Sequence, residues 1–427
     1  MKAPWQARRI LVVAAVVITA WFVCLPAPAQ TFVVTNDNNE SVNTTTIYEA
    51  GSGPSLARKH NVKTGGIGGS SIYIGSVMQA IVPQSGGITC IFVSNGRANT
   101  TAKPKVYASI TAIEYDSASG TFTDLGPYFG STADKTTTGI IGVSPVAASP
   151  DGNYLYVGFP AANNIATFTI APGCALTFGL DVAAKGIINN GAVIAMATGV
   201  AYPPNGPILA VAYSDGTIQS FNIAIGVPGS NGDAQPSQLF EDYGSVPESV
   251  VITQDGHFVV FGDDPGERYH TDVESYSTAT GQLGPAHQYH GGTGSFGSPN
   301  GSSNILFSPN EGWLYVSNND SGQVTALHFD KTTGGFNAGC TSGALKGFED
   351  LWYFTAGIAA RGTSGTGSVL YVAEDAVGTG DNGIGIVSFD AANCSPSSTT
   401  NAFTESTDSP APDPSAGSLA SLSTFTP

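Results

Sequence analysis

Charge is scarce in this sequence. Asp, Glu, Lys and Arg together make up 11% of it, and the basic residues are fewest, 15 against 32 acidic ones. A formal net charge of −17 with no basic cluster disfavours electrostatic binding to nucleic acid or to anionic lipid. The familiar catalytic signatures are missing too. There is no GxSxG elbow, P-loop, HExxH or EF-hand loop, and no CxxC or Cys/His spacing that suggests zinc. The Gly-rich stretch at 51–69 follows no βαβ pattern and reads as a loop. What is abundant is Gly (54) and Pro (26), a composition that favours turns and strands over helices.

One long apolar run exists, from Ile10 to Leu25. Lys2, Arg8 and Arg9 precede it, and the small-residue "APA" (27–29) follows. This is the pattern of a secretory signal peptide over residues 1–29, and the run is short for a membrane span. Cys24, preceded by "WFV", lacks the look of a lipoprotein cysteine. No second apolar span follows, so the mature chain is expected to be secreted or periplasmic and not inserted in a membrane. Cleavage would remove three positive charges and take the net charge from −17 to −20. That acidity suits the solubility of an exported protein.

The stretch "SPNEGWLYVSNNDSGQVTALHFDKTTGGF" (308–336) alternates turn signals with short apolar runs and has no helical period, reading as strand, turn, strand, turn, strand. Relatives of its "WLYVSNN" recur as "FVVTND", "IFVSNG", "YLYVGFP", "ILAVAYS", "FVVFGDD" and "VLYVAED". The aligned valines are Val34, Val93, Val157, Val211, Val260, Val316 and Val372, spaced by 49 to 64 residues. The turns "SPDG" (149–152), "TQDG" (253–256) and "SPNEG" (308–312) precede three of them, each with a Gly for the positive φ of a tight hairpin. Seven four-stranded units of about 56 residues predict an all-β, seven-bladed β-propeller in one domain, 30–427. The first unit begins with a second strand, so the C-terminal strand, around Leu419 to Phe425, is expected to pair beside Phe32 to Asn36 and close the ring. The Pro/Ser-rich segment 395–415 is then its connector.

The motifs "SPDGNYLYV", "SPNEGWLYVSNNDSGQVTALHFD" and the D-x-x-T-G turns resemble seven-bladed propellers of the YVTN-repeat and lactonase (phosphogluconolactonase-like) type, along the whole mature chain. The resemblance implies either lactone-ring hydrolysis or binding at the cell surface. Its motifs specify blades, and they carry no catalytic residue with them.

Candidate chemistry therefore rests on loops that share one face: those before each first strand and after each second strand. They carry Asn36, Asn95, Asp215, Asp263, Asp264, Asn318, Asn319, Asp320, Glu374 and Asp375, with Glu248 before a first strand. Asn and Asp also suit such turns with no ligand present. Blade five stands apart. Its "GDDPGERYHTDVESY" (262–276) concentrates Asp263, Asp264, Glu267, Arg268, His270 and Asp272, and "HQYHGG" adds His287 and His290. Catalysis would fall to Arg268, His270, Glu267 and His290, as carbonyl polariser and water-activating base. Ligand binding would use Glu248, Asp263, Asp264, Asn318 and Glu374. No cofactor is required; a calcium-dependent variant would draw on Glu248, Asp264, Asn318 and Glu374. The same loop also reads as a solvated, self-paired surface.

Two functions follow: a binding scaffold for a small molecule or envelope protein at the channel mouth, or a lactonase-like hydrolase. A monomer is expected. Cys90, Cys174, Cys340 and Cys394 imply two disulfides among three possible connectivities, with Cys340 and Cys394 the favoured pair because both follow third strands of neighbouring blades.

Overall fold

The computed structural model of the chain describes residues 30–427 except 38–41, 52–54, 69–78, 97, 100, 132–143, 201–205, 230–233, 239–245, 265–269, 281, 293–301, 319–321, 344, 346–352, 365–366, 377–382, 396–401 and 410–420. At 264, 270, 292, 302–303, 353–364, 367, 374–376, 405–409 and 421 it describes the backbone alone.

Seven four-stranded antiparallel sheets follow one another along the chain. Blade one contains β1 (Thr31–Asn36), β2 (Thr44–Ala50) and β3 (Leu56–Lys63). Blade two is β4 (Gln79–Pro83), β5 (Ile88–Asn95), β6 (Ser109–Asp116) and β7 (Thr121–Tyr128). Blade three is β8 (Val146–Ala148), β9 (Tyr154–Phe159), β10 (Asn164–Ile170) and β11 (Leu176–Ala183). Blade four is β12 (Val193–Gly199), β13 (Ile208–Tyr213), β14 (Thr217–Asn222) and β15 (Gln235–Pro236). Blade five is β16 (Val246–Ile252), β17 (Phe258–Asp264), β18 (His270–Ser277) and β19 (Ala286–Gly292). Blade six is β20 (Ser302–Phe307), β21 (Trp313–Asn318), β22 (Gln323–Phe329) and β23 (Phe336–Thr341). Blade seven is β24 (Tyr353–Ser364), β25 (Gly367–Ala376), β26 (Gly383–Asp390) and β27 (Phe403–Ser409), and β28 (Ser421–Phe425) ends the chain.

The last strand completes the first blade. β28 pairs antiparallel with β1, Phe425 opposite Phe32 and Ser421 opposite Asn36, and the Phe32 and Phe425 rings stack at 5.0 Å. The protein is thus a seven-bladed propeller closed by its own C-terminus, which removes the open sheet edge.

Each blade is apolar on both faces because each face meets another blade. Cys90 and Phe92 of β5 face blade three, while Ile91 and Val93 face blade one. The seven aligned valines are all fully buried. Val93, Val157, Val211, Val316 and Val372 face the preceding blade, but Val34 and Val260 face the following one. The turn geometry shows why. In the turn before each second strand, the N–H groups of Tyr154, Phe258 and Trp313 donate to the hydroxyls of Ser149, Thr253 and Ser308. Counting on from these turns, the blade-five counterpart of Val157 and Val316 is Phe261, which faces blade four. A one-residue shift in alignment turns every side chain to the other face.

The fourth residue of these turns is left-handed: Gly152 (φ 70°), Gly256 (φ 72°) and, in "SPNEG", Glu311 (φ 55°) rather than Gly312. Glu311 holds this costly conformation through its neighbours. Its carboxylate accepts the Gln254 N–H from blade five and pairs with Lys331 at 3.1 Å.

Two disulfides link adjacent blades. Cys90 on β5 bonds Cys174 in the turn before β11, and Cys340 on β23 bonds Cys394 just beyond β26.

Candidate functional site

Several polar residues expected at the channel mouth are joints between strands and blades. The Asn318 amide donates to Thr325 Oγ1 (2.8 Å), and its carbonyl accepts from Thr271 Oγ1 of blade five (2.9 Å). Asn36 donates to the Ser94 carbonyl (3.1 Å) and accepts from Asn43, which also donates to Asn95 (2.9 Å). Asp215 accepts the backbone N–H groups of Ile188, Asn189 and Gly191 (2.8–3.1 Å) and so folds the loop leading into β12. Burial pushes its carboxyl up, but the N–H groups of Asn189, Gly191 and Thr217 outweigh that and hold it below the usual carboxylate range.

Blade five is built differently. Asp263 on β17 lies opposite Asp272 on β18, and Asp272 lies opposite His290 on β19. Glu248 sits in the bulge of β16 beside the Pro247–Asp263 pair. One transverse row therefore crosses all four strands, from Glu248 on the innermost to His290 on the outermost. Glu248, Asp263 and Asp272 are buried, and the His290 side chain keeps 26% of its surface exposed. By strand alternation these groups share the face of Phe261 and Tyr276, toward blade four.

The closest contact in the row is His290 Nδ1 to Asp272 Oδ1, 2.6 Å. An ionised carboxylate can only accept, so Nδ1 carries the proton and Nε2 is the acceptor nitrogen of the ring. Further along β18, Asp272, Glu274 and Tyr276 are successive side chains on one face. The Gln238 N–H donates to both Glu274 Oε2 (3.1 Å) and the Tyr276 hydroxyl (3.0 Å). Burial first, then the Glu274 charge, push the Tyr276 phenol far above its usual range, so it stays a neutral donor. Beside it lies a cleft of about 400 Å³ in the seam between blades four and five, lined by Gln235, Pro236, Gln238, Tyr276, Leu283, Gly284 and Pro285.

The residues singled out in the sequence thus have different fates. Glu248, Asp263 and His290 come into one row; Asn318 lies at the joint of blades five and six. His270 opens β18 and Asp264 closes β17, while Glu374 lies within β25, all three described by backbone alone. Glu267 and Arg268 lie outside the described residues. Among the described residues, no three of His, Cys, Asp and Glu are grouped to hold a metal ion. Glu274, Tyr276 and Gln238 were not expected. Their signal was the polar alternation D-x-E-x-Y in a strand whose face is buried.

Comparison with known proteins shows the fold alone. The chain is similar to a periplasmic gluconolactonase of Pseudomonas aeruginosa (15% identity, TM-score 0.62, covering 93% of this chain and 99% of that one). It is equally similar to a candidate 6-phosphogluconolactonase of Bacteroides fragilis (16% identity, TM-score 0.61, 93% and 98%). A Lactobacillus plantarum protein also matches (13%, TM-score 0.56, 93% and 99%). No protein-family model and no curated protein matches the chain. It is a seven-bladed propeller with lactonase-like structural neighbours.

Proposed function

We propose that the protein is an exported lactonase-type hydrolase that works at the seam of blades four and five. The observation that carries this reading is the His290–Asp272 contact: a partly exposed imidazole oriented by a fully buried carboxylate, on the blade whose Tyr276 lines the seam cleft. The lactonase-like neighbours support the reaction class by analogy of fold.

In this mechanism the lactone lies against Tyr276 and Gln238. His290 Nε2 takes a proton from water as the water oxygen bonds to the lactone carbonyl carbon. Asp272 keeps the imidazole in the required tautomer and stabilises the imidazolium. The tetrahedral oxyanion then collapses, the ring C–O bond breaks, and the ring oxygen recovers the proton from His290. Arg268, four residues before Asp272, is the proposed cation for the oxyanion. The steps as proposed call on no metal ion. Export through the 1–29 segment belongs to the same proposal, and the two disulfides are compatible with it.

The test is hydrolysis of a panel of small lactones by the purified protein, followed by proton release. At least one lactone is expected to open faster than in buffer, with EDTA making no difference. His290→Ala is expected to lose on the order of a hundredfold or more of that rate. A panel in which no lactone opens above background would remove the hydrolase reading and leave a binding scaffold in its place.

A further inference from the structure

A second cavity lies elsewhere, in the central channel. About 510 Å³ is bordered, among the described residues, by innermost strands of four blades: Ile81 of β4, Val251 and Ile252 of β16, Asn304 to Phe307 of β20, and Leu422 to Thr424 of β28. It reaches the turns that join first to second strands, where Gln254, Ser308, Pro309 and Glu311 line it. Those turns belong to the end of the blades opposite the Asp272–His290 row. β18 runs from the row toward Ser277, the residue paired with Phe258 beside the turn.

The wall is unusual for a water-filled channel. Ile81, Val251, Ile252, Leu306 and Phe307 are large apolar side chains left only half-buried, although each belongs to a blade core on its other side. Among the described residues, polar groups are confined to Asn304, Ser423, Thr424 and the turn residues. Among the described residues, no basic side chain lines the cavity. The one charged residue among the described lining, Glu311, is engaged by the Gln254 N–H and by Lys331. A concave, apolar wall with a few hydrogen-bonding groups at one end, in this range of volume, is the form of a small-molecule site.

We infer that the channel lumen between blades one, two, five and six binds a small uncharged molecule with an apolar body and a hydrogen-bonding head. The body lies on Ile81, Val251, Ile252 and Phe307, and the head meets Ser423, Thr424 and the Ser308 turn. An anion would gain no counter-charge from the described residues of this wall, and burying it there would be costly. The site is separate from the seam of blades four and five, so it stands whether or not lactones are hydrolysed there.

The neutral fluorophore N-phenyl-1-naphthylamine tests this. Its emission should rise saturably with one probe per chain. Val251→Trp and Ser423→Phe fill the lumen from opposite walls and should each weaken binding about tenfold or more, a loss of about 1.4 kcal/mol. Pro285→Trp, which fills the seam cleft, should leave binding as in the unaltered protein. Either lumen variant that stays folded by circular dichroism suffices. Absence of saturable binding by the unaltered protein would overturn the inference. So would binding that survives lumen filling, or binding lost in Pro285→Trp alone.

Discussion

Asp215 shows how much a single side chain does at the ends of these blades. Its carboxylate gathers three backbone N–H groups from the loop ahead of β12, among them that of buried Gly191. Its folded-state pKa is depressed, so its contribution is present above the unfolded value of about 3.9 and is lost as pH falls through the folded value. Asp215→Asn should therefore melt lower than the unaltered protein at pH 7, and the gap should close below about pH 4. Melting curves across that range check it; a gap independent of pH would contradict it. Asn318 acts the same way between blades. Asn318→Ala strands the Thr271 hydroxyl, removes one partner of Thr325, and should cost about 1–3 kcal/mol in denaturant unfolding. Both residues were legible as turn-end polar groups. Their roles were not, because the partners lie 27 or 47 residues away, brought together by the β12–β13 pairing in one case and by blade packing in the other.

At the scale of strands, the seven units and the closing strand could be read directly, since turn chemistry and apolar runs recur with a loose period. Register could not be read everywhere. In "TFVVTN" both Val33 and Val34 are buried, one toward blade seven and one toward blade two. Period-two alternation marks a face only when the other face is polar, and doublets such as Val33–Val34 or Val259–Val260 leave two alignments equally good. The same physics hid Glu274 and Tyr276: alternate polar residues in β18 suggest a solvated face, but that face packs on blade four. The closing strand carries a direct prediction. Deleting 416–427 removes β28, exposes the ladder edge of β1 and uncovers Phe32, so the melting temperature should fall sharply. An unchanged melting curve would refute closure.

Over the whole molecule, the ring is tied at three places: β28 on β1, Cys90–Cys174 between blades two and three, and Cys340–Cys394 between blades six and seven. The disulfides close segments of 84 and 54 residues, and the chain-entropy account gives each about 4 kcal/mol. Reduction should thus lower the melting temperature, and thiol titration of the unfolded, unreduced protein should find no reactive group among these four cysteines. On this frame blade five, alone among the described residues, sets a buried acidic row against a partly exposed imidazole, and the proposed hydrolysis rests on that imidazole. Because the His290 side chain is partly open to solvent, a free base can take its place. The most direct measurement is lactone hydrolysis by His290→Ala with imidazole added to the buffer. The account predicts a rate far below that of the unaltered protein, which rises with imidazole concentration while the unaltered protein does not respond. Full activity of His290→Ala without imidazole would contradict it.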